Sequence, residues 1–298
     1  MVRYDEGMDD ARVLELLRRH AEAEGTTTTP IEGLTLFKLS GRVEPLPGVY
    51  PTGICVIAQG AKRAFVGGET HVYKSGQYLC ASVPMPVKAE VFRASVKKPL
   101  LGLLLSTETP TMVDTVLRVE AALPRSDSGP SVAPGLSVAQ WSEDFTEALA
   151  RLLELLDDPM AVPVLAEGRL RELMLTILRG EAGPSMHQAL GATREISRAI
   201  AYLRSNPSDP VSIEDLAKRA GMSRAVFHRK FKATTSYSPI QFVKALRLNE
   251  AATMLAKGVR AGEAANRVGY ASQSQFSREF RRQFGKPPRE WAGSALPV

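Results

Sequence analysis

The sequence predicts an α+β protein in which a compact antiparallel β domain with flanking helices precedes an all-α domain built on two helix-turn-helix units. Three observations carry that prediction. Between Leu34 and Ser106, short apolar segments recur between glycines and prolines, the texture of an antiparallel β domain. After about residue 193 the apolar spacing becomes helical, and one pattern there is stated twice. Charge divides along the same line: from Gly191 onward 19 basic and 8 acidic residues give a net +11, against 19 and 24, a net −5, before it. The 298 residues leave room for two domains that each bury a core.

Taken in order, Asp9 to Glu24 reads as an amphipathic helix ended by Gly25, with Thr26 to Pro30 as a connector. Strands are expected at Leu34 to Leu39, Gly53 to Ala58, Ala64 to Val66, Thr70 to Tyr73, Tyr78 to Val83, Lys88 to Ala94 and Leu100 to Leu105, with a hairpin turn at Val66-Gly-Gly-Glu69. Thr111 to Leu123 reads as a helix and Pro124 to Pro134 as a Ser/Gly/Pro loop. Apolar stripes then predict two longer helices. One runs from Ser137 to Leu156 and carries Trp141, Phe145 and Leu149; the other runs from Val162 to Arg179 and carries Leu170, Leu173 and Ile177. These helices either cover the β domain or form the seam of a homodimer. Gly180 to Ala192 is the expected hinge. The predicted organisation is therefore 1–180, a linker at 181–192, and 193–298.

The repeated pattern explains the last segment. Ala217-Lys-Arg-Ala220-Gly221-Met-Ser223 leads to Phe227 and Phe231, and Ala265-Asn-Arg-Val268-Gly269-Tyr-Ala-Ser272 leads to Phe276 and Phe280. Phe231 precedes Pro239 by eight residues, and Phe280 precedes Pro288 by the same interval. Each copy reads as a helix, a sharp turn at a glycine that can take positive φ, and a second helix capped by serine. Ser212 with Asp215 and Ser272 with Gln275 have capping-box spacing. With Phe227 and Phe231 buried, the first exposed face carries Arg224, Ala225, His228, Arg229 and Lys232. With Phe276, Phe280 and Phe284 buried, the second carries Gln273, Ser274, Gln275, Ser277, Arg278, Arg281 and Arg282. Arginine pairs with guanine and glutamine with adenine in the major groove, small side chains permit close approach, and surplus Arg and Lys side chains hold phosphates. Arg224, Lys232, Arg281, Arg282 and Lys286 are the phosphate candidates. A linking helix from Ser238 and Pro239 to Gly258 would span about 30 Å, close to the roughly 34 Å of one DNA turn.

These motifs resemble the DNA-binding domain of the AraC/XylS family over about Thr193 to Trp291, above all in Ala264-Ala-Asn-Arg-Val-Gly-Tyr270 and Phe276-Ser-Arg-Glu-Phe280-Arg-Arg-Gln-Phe284-Gly-Lys-Pro-Pro288-Arg-Glu-Trp291. The resemblance implies sequence-specific binding of double-stranded promoter DNA, usually activation of transcription, and RNA polymerase as a partner. Its base-contacting positions fall on Ala225, His228 and Arg229 in the first unit and on Gln273, Ser274, Ser277 and Arg278 in the second. Gly33-Leu-Thr-Leu-Phe37, Cys55-Val-Ile-Ala-Gln-Gly60-Ala-Lys62, and Gly76-Gln-Tyr-Leu79 followed by Pro84-Met-Pro86 are similar to the N-terminal domain of a subgroup of the same regulators. That similarity implies a cupin-like β-barrel used for sensing or dimerisation.

Other classes fit less well. No apolar run approaches a membrane span and the N-terminus lacks the pattern of a secretion signal, so a cytoplasmic protein that does not enter the membrane is expected. His71 is the one imidazole available to a barrel metal site, so neither a metal nor another cofactor is expected and the chain does not read as an enzyme. A DNA-tethered cupin-type enzyme or an alkylation-repair protein is the alternative; the latter would need more than two cysteines. Cys55 and Cys80 each read either as buried packing residues or as sensing thiols aided by Lys62 or Arg63. Phe37, Tyr50, Tyr73 and Tyr78 are either core residues or the lining of a small-molecule effector pocket.

Overall fold

The computed structural model describes residues 8–122, 134–190 and 194–291. Most of the loop expected at Pro124 to Pro134 lies outside the described residues. The chain begins with helix α1 (Met8–His20) and continues through nine strands: β1 (Gly25–Thr28), β2 (Leu34–Leu39), β3 (Val43–Tyr50), β4 (Gly53–Gln59), β5 (Ala61–Val66), β6 (Glu69–Lys74), β7 (Gln77–Ala81), β8 (Met85–Arg93) and β9 (Leu100–Ser106). Helix α2 (Pro110–Ala122), strand β10 (Leu136–Gln140), and helices α3 (Glu143–Glu154), α4 (Val162–Arg179) and α5 (Gly183–Leu190) complete the N-terminal part. The strands form two antiparallel sheets, ordered β1-β2-β9-β4-β7-β10 and β3-β8-β5-β6.

Side-chain alternation along the strands builds two cores from one sheet. Ile54, Val56 and Ala58 of β4 face outward, under α1, α3 and α4, where Val13, Leu149, Leu152 and Leu173 cover them. Cys55 and Ile57 face inward, toward Val87, Ala89 and Val91 of the opposing sheet. Helices α3 and α4, expected either to cover the β domain or to form a dimer seam, cover it along Phe145, Leu149, Leu170 and Ile177. The expected turn at Gly67 and Gly68 is present, with both glycines at positive φ, 57° and 93°.

Three strands depart from the expectation. The threonines read as a connector form β1, which pairs Gly25 to Lys38 and Thr28 to Thr35 at the rim of the first sheet; threonine suits a half-exposed edge. Pro45 and Pro47 conceal β3, which is tolerated because it is the edge of the second sheet, with a register irregularity between Val43 and Leu46. The helix expected from Ser137 instead opens as β10, paired Leu136 to Ala81 through Gln140 to Gln77; Ser142 caps α3 by accepting from Phe145 N–H. Trp141 thus precedes the helix. The stretch expected to act as a hinge carries α5, whose N-terminal Gly183 bonds back to Gly180.

Helices α6 (Arg194–Ser205), α7 (Ile213–Arg219), α8 (Arg224–Thr235), α9 (Pro239–Ala256), α10 (Ala261–Arg267) and α11 (Gln273–Phe284) make the C-terminal part. It packs directly on the barrel. Gly135 N–H donates to Thr234 C=O at 2.8 Å, Tyr237 Oη donates to Pro86 C=O at 3.4 Å, and Ser236 Oγ bonds Glu69 at 3.3 Å. The barrel core runs on without a break into Phe227, Phe231, Phe242 and Leu246.

Candidate nucleic-acid interface

The sequence repeat becomes a repeat of contacts. In the first unit Gly221 N–H donates to Lys218 C=O and Met222 N–H to Ala217 C=O; in the second, Gly269 N–H donates to Asn266 C=O and Tyr270 N–H to Ala265 C=O. These bonds satisfy the last carbonyls of α7 and α10 and turn the chain within a few residues. Gly221 and Gly269 have φ of 64° and 79°. The aromatic supports repeat as well: Phe231 meets Phe242 edge-on at 5.2 Å and 87°, and Phe280 meets Trp291 at 5.6 Å and 82°. A methyl group at Gly221 would meet nothing within 4 Å, whereas at Gly269 it would lie 2.7 Å from Ser208 C=O. Gly221→Ala is therefore expected to cost about 1 kcal/mol through its left-handed backbone alone, and Gly269→Ala measurably more, as a comparison of denaturant midpoints would show.

Ser223 caps α8 by accepting from Val226 N–H, and Ser272 caps α11 by accepting from Gln275 N–H. Neither expected capping box closes. Ser212 accepts from Asp215 N–H, but in α11 the Gln275 side chain turns away to Glu279, at 3.3 Å. The reciprocal box forms instead at the start of α9, between Ser238 and Gln241. Pro239 occupies the first turn of α9, and Gly258, at φ 86°, follows its end. Its 18 residues set the separation of the two units at about 27 Å by helical rise.

All seven expected base-reading residues are exposed: Ala225, His228 and Arg229 on α8, and Gln273, Ser274, Ser277 and Arg278 on α11. Arg224, Lys232, Arg281, Arg282 and Lys286 are exposed beside them. Arg224 also forms an ion pair with Glu214 of α7 at 2.6 Å, so binding a phosphate there requires exchange of partners. Sequence reading missed the group that fixes α11. Glu279, on its inner face, accepts from Lys244 of α9 at 3.1 Å, from Tyr270 Oη at 2.9 Å and from Gln275 at 3.3 Å. Burial alone would push this carboxyl up, but the three hydrogen bonds outweigh it and hold its pKa below the ordinary value of 4.5.

Among the barrel residues expected to line a pocket, Phe37, Tyr50 and Tyr73 meet inside. Tyr50 and Tyr73 share a hydroxyl hydrogen bond of 2.9 Å, and Lys62, 1% exposed, lies over the Phe37 and Tyr50 rings at 5.1 and 5.7 Å. Tyr78 is not among them: strand alternation puts it on the outer face, stacked on Phe145 at 4.8 Å. The same alternation separates Cys55, inside, from Cys80, under the helices. Both are free and buried. Burial raises the Cys55 thiol pKa, with the Lys62 charge and the Tyr73 hydroxyl only partly offsetting it, and burial pushes Cys80 up to about 12, with the neighbouring Ser137 hydroxyl only partly offsetting it. Both thiols are accordingly expected to resist an aromatic disulfide reagent in the folded protein and to react on unfolding; rapid native labelling of Cys55 would restore it as a sensing thiol. His71 is half-buried and 3.7 Å from Glu69, and the described residues include no cluster of three or more His, Cys, Asp or Glu able to hold a metal. No helix of the described residues is long and apolar enough to cross a membrane.

Comparison with known proteins places both halves. A family model for the N-terminus of AraC-type transcriptional regulators matches residues 30–185, and one for a helix-turn-helix domain matches 216–294. An AraC-like transcription regulator of Streptomyces lividans is 28% identical over 168 residues, 54% of each chain, and the regulator AlkR of Acinetobacter baylyi is 33% identical over 98 residues, 33% of this chain and 32% of its own. The chain thus spans about half or less of the length of these curated relatives. In overall fold it is similar to ToxT of Vibrio cholerae, with a TM-score of 0.60 over 90% of this chain and 98% of that one at 10% identity; another ToxT structure, at a TM-score of 0.55, contains a bound unsaturated fatty acid. The chain belongs to the AraC-type family of transcriptional regulators.

Proposed function

We propose that the protein binds promoter DNA sequence-specifically through α8 and α11 and regulates transcription, as an activator working with RNA polymerase in the cytoplasm, under control of a chemical signal received by residues 1–180. Residues 193–298 are the reader, joined to the sensor through 181–192. The observation that carries this reading is the pair of equivalent helices, each presenting its base-reading residues to solvent and each braced by the same aromatic arrangement. A net charge of +11 from Gly191 onward supplies the sequence-independent attraction to phosphate. The fatty acid bound by ToxT supports a small organic effector of some kind, and the homodimer remains part of the proposal. The chain reads as a regulator rather than an enzyme.

Two substitutions test the division of labour. Arg278→Ala should cost about 1–3 kcal/mol at one cognate base pair and relax the preference there. Lys286→Ala should weaken binding to all sequences alike and lower the slope of log affinity against log salt by about 1. An Arg278→Ala protein with unchanged preference, or a Lys286→Ala protein with unchanged slope, would refute the corresponding assignment.

A further inference from the structure

A cleft of about 630 Å³ lies where sensor and reader meet. From the sensor it takes Glu108 and, on α2, Val113; from the connecting segment it takes Met186 of α5; and from the reader it takes Ala201 and Arg204 of α6 and Glu250 of α9. Its volume is that of a small-molecule site, and its walls alternate apolar surface with hydroxyls, among them Ser82 and Thr107.

The charges in it are unequal. Glu108 is engaged by Thr52 Oγ1 at 3.0 Å and lies 3.8 Å from Arg204. Glu250 forms no hydrogen bond or ion pair among the described residues, although Arg204 and Arg247 act on it at longer range. Burial raises its carboxyl pKa, and the two arginines offset this only in part. Two carboxylates and one guanidinium line the cleft, and among the described residues Glu250 is the one of these three charges whose side chain has no direct partner. In contrast, the barrel interior is occupied by its own Phe37, Tyr50, Lys62 and Tyr73, each 5% exposed or less.

We propose that this interdomain cleft is the effector site, and that its ligand is a small organic ammonium ion with an apolar body, bound by Glu250 and the Val113, Met186 and Ala201 surface; this rests on the reading of the chain as an effector-controlled regulator and extends the signal-receiving surface from residues 1–180 into α6 and α9. Because the walls come from both parts, the site is complete only while they are docked as described. A ligand there favours the docked state over any other, which is the condition for control.

Calorimetric titration of the full chain with n-hexylammonium, benzylammonium and tyramine, with hexanoate and hexanol as parallel arms, tests the inference. At least one ammonium ion should bind one-to-one, about tenfold or more weaker in Glu250→Gln, and weaker again in Ala201→Trp, which puts an indole over the apolar wall of the cleft. Preference for hexanoate, absence of binding by all three ammonium ions, or binding insensitive to both substitutions would overturn it. DNA affinity measured on the same preparations confirms that the variants are folded and separates the two readings: specific DNA binding without ammonium binding removes this inference alone, whereas a wild-type chain with no preferred DNA sequence removes the regulator reading itself.

Discussion

Phe280→Ala is expected to destabilise the second helix-turn-helix unit by about 3–5 kcal/mol, the cost of deleting a buried aromatic side chain and leaving a cavity. Phe280 is fully buried and touches three rings: Phe276 at 5.5 Å, Phe284 at 4.5 Å and Trp291 at 5.6 Å. It holds α11 against the rest of its unit, so its loss should abolish specific DNA binding as well as lower the denaturation midpoint. If Phe280→Ala kept wild-type stability and affinity, the aromatic cluster would not be the support of the reading helix.

Glu279→Gln is expected to cost about 2–4 kcal/mol, because hydrogen bonds to a charged group are each worth about 1.5–3 kcal/mol and the half-exposed Lys244 can recover water. Tyr270 Oη, Lys244 and Gln275 all converge on the carboxylate, joining α11 to α9 and to the turn before α11. The change leaves every base-reading residue in place, so it should lower affinity for all sites without altering which bases are preferred. Its pH dependence follows from the sign of the shift. The folded carboxyl has a lowered pKa, so its contribution is complete above the ordinary carboxylate value of 4.5 and is lost as pH falls through the lower folded value. Wild-type and Glu279→Gln stabilities should converge in acid, and a constant difference down to the acid limit would contradict the assignment.

The reader was the more legible half because its signals are local. Serine caps, turn glycines, and phenylalanines four residues apart need no knowledge of distant partners, and α8, α9 and α11 begin at those caps. The Glu279 network was not legible, since Lys244 is 35 residues away and the Gln275 side chain had an equally good local use as the return half of a capping box. In the barrel, interior apolar strands were recognisable, whereas edge strands were not. Proline in β3 is tolerated because that strand lies at a sheet edge, and the polar threonines of β1 pair at the edge of the other sheet, facts of topology rather than of composition. Tyr78 and the two cysteines were placed without regard to face because both sides of β4 and β7 are covered by apolar layers, which removes the polar alternation that would have told inside from outside. Burial of Lys62 between two aromatic rings carries no sequence signal of its own.

The most direct measurement is selection of bound duplexes from a randomised DNA library by the full chain, repeated with Arg278→Ala. Two rigidly linked reading helices predict a site with two specified groups of base pairs about 10 bp apart, one of which loses its preference in the variant while the other keeps it. Recovery of sequences with no shared pattern, or of one group that Arg278→Ala leaves unchanged, would contradict a bipartite reader.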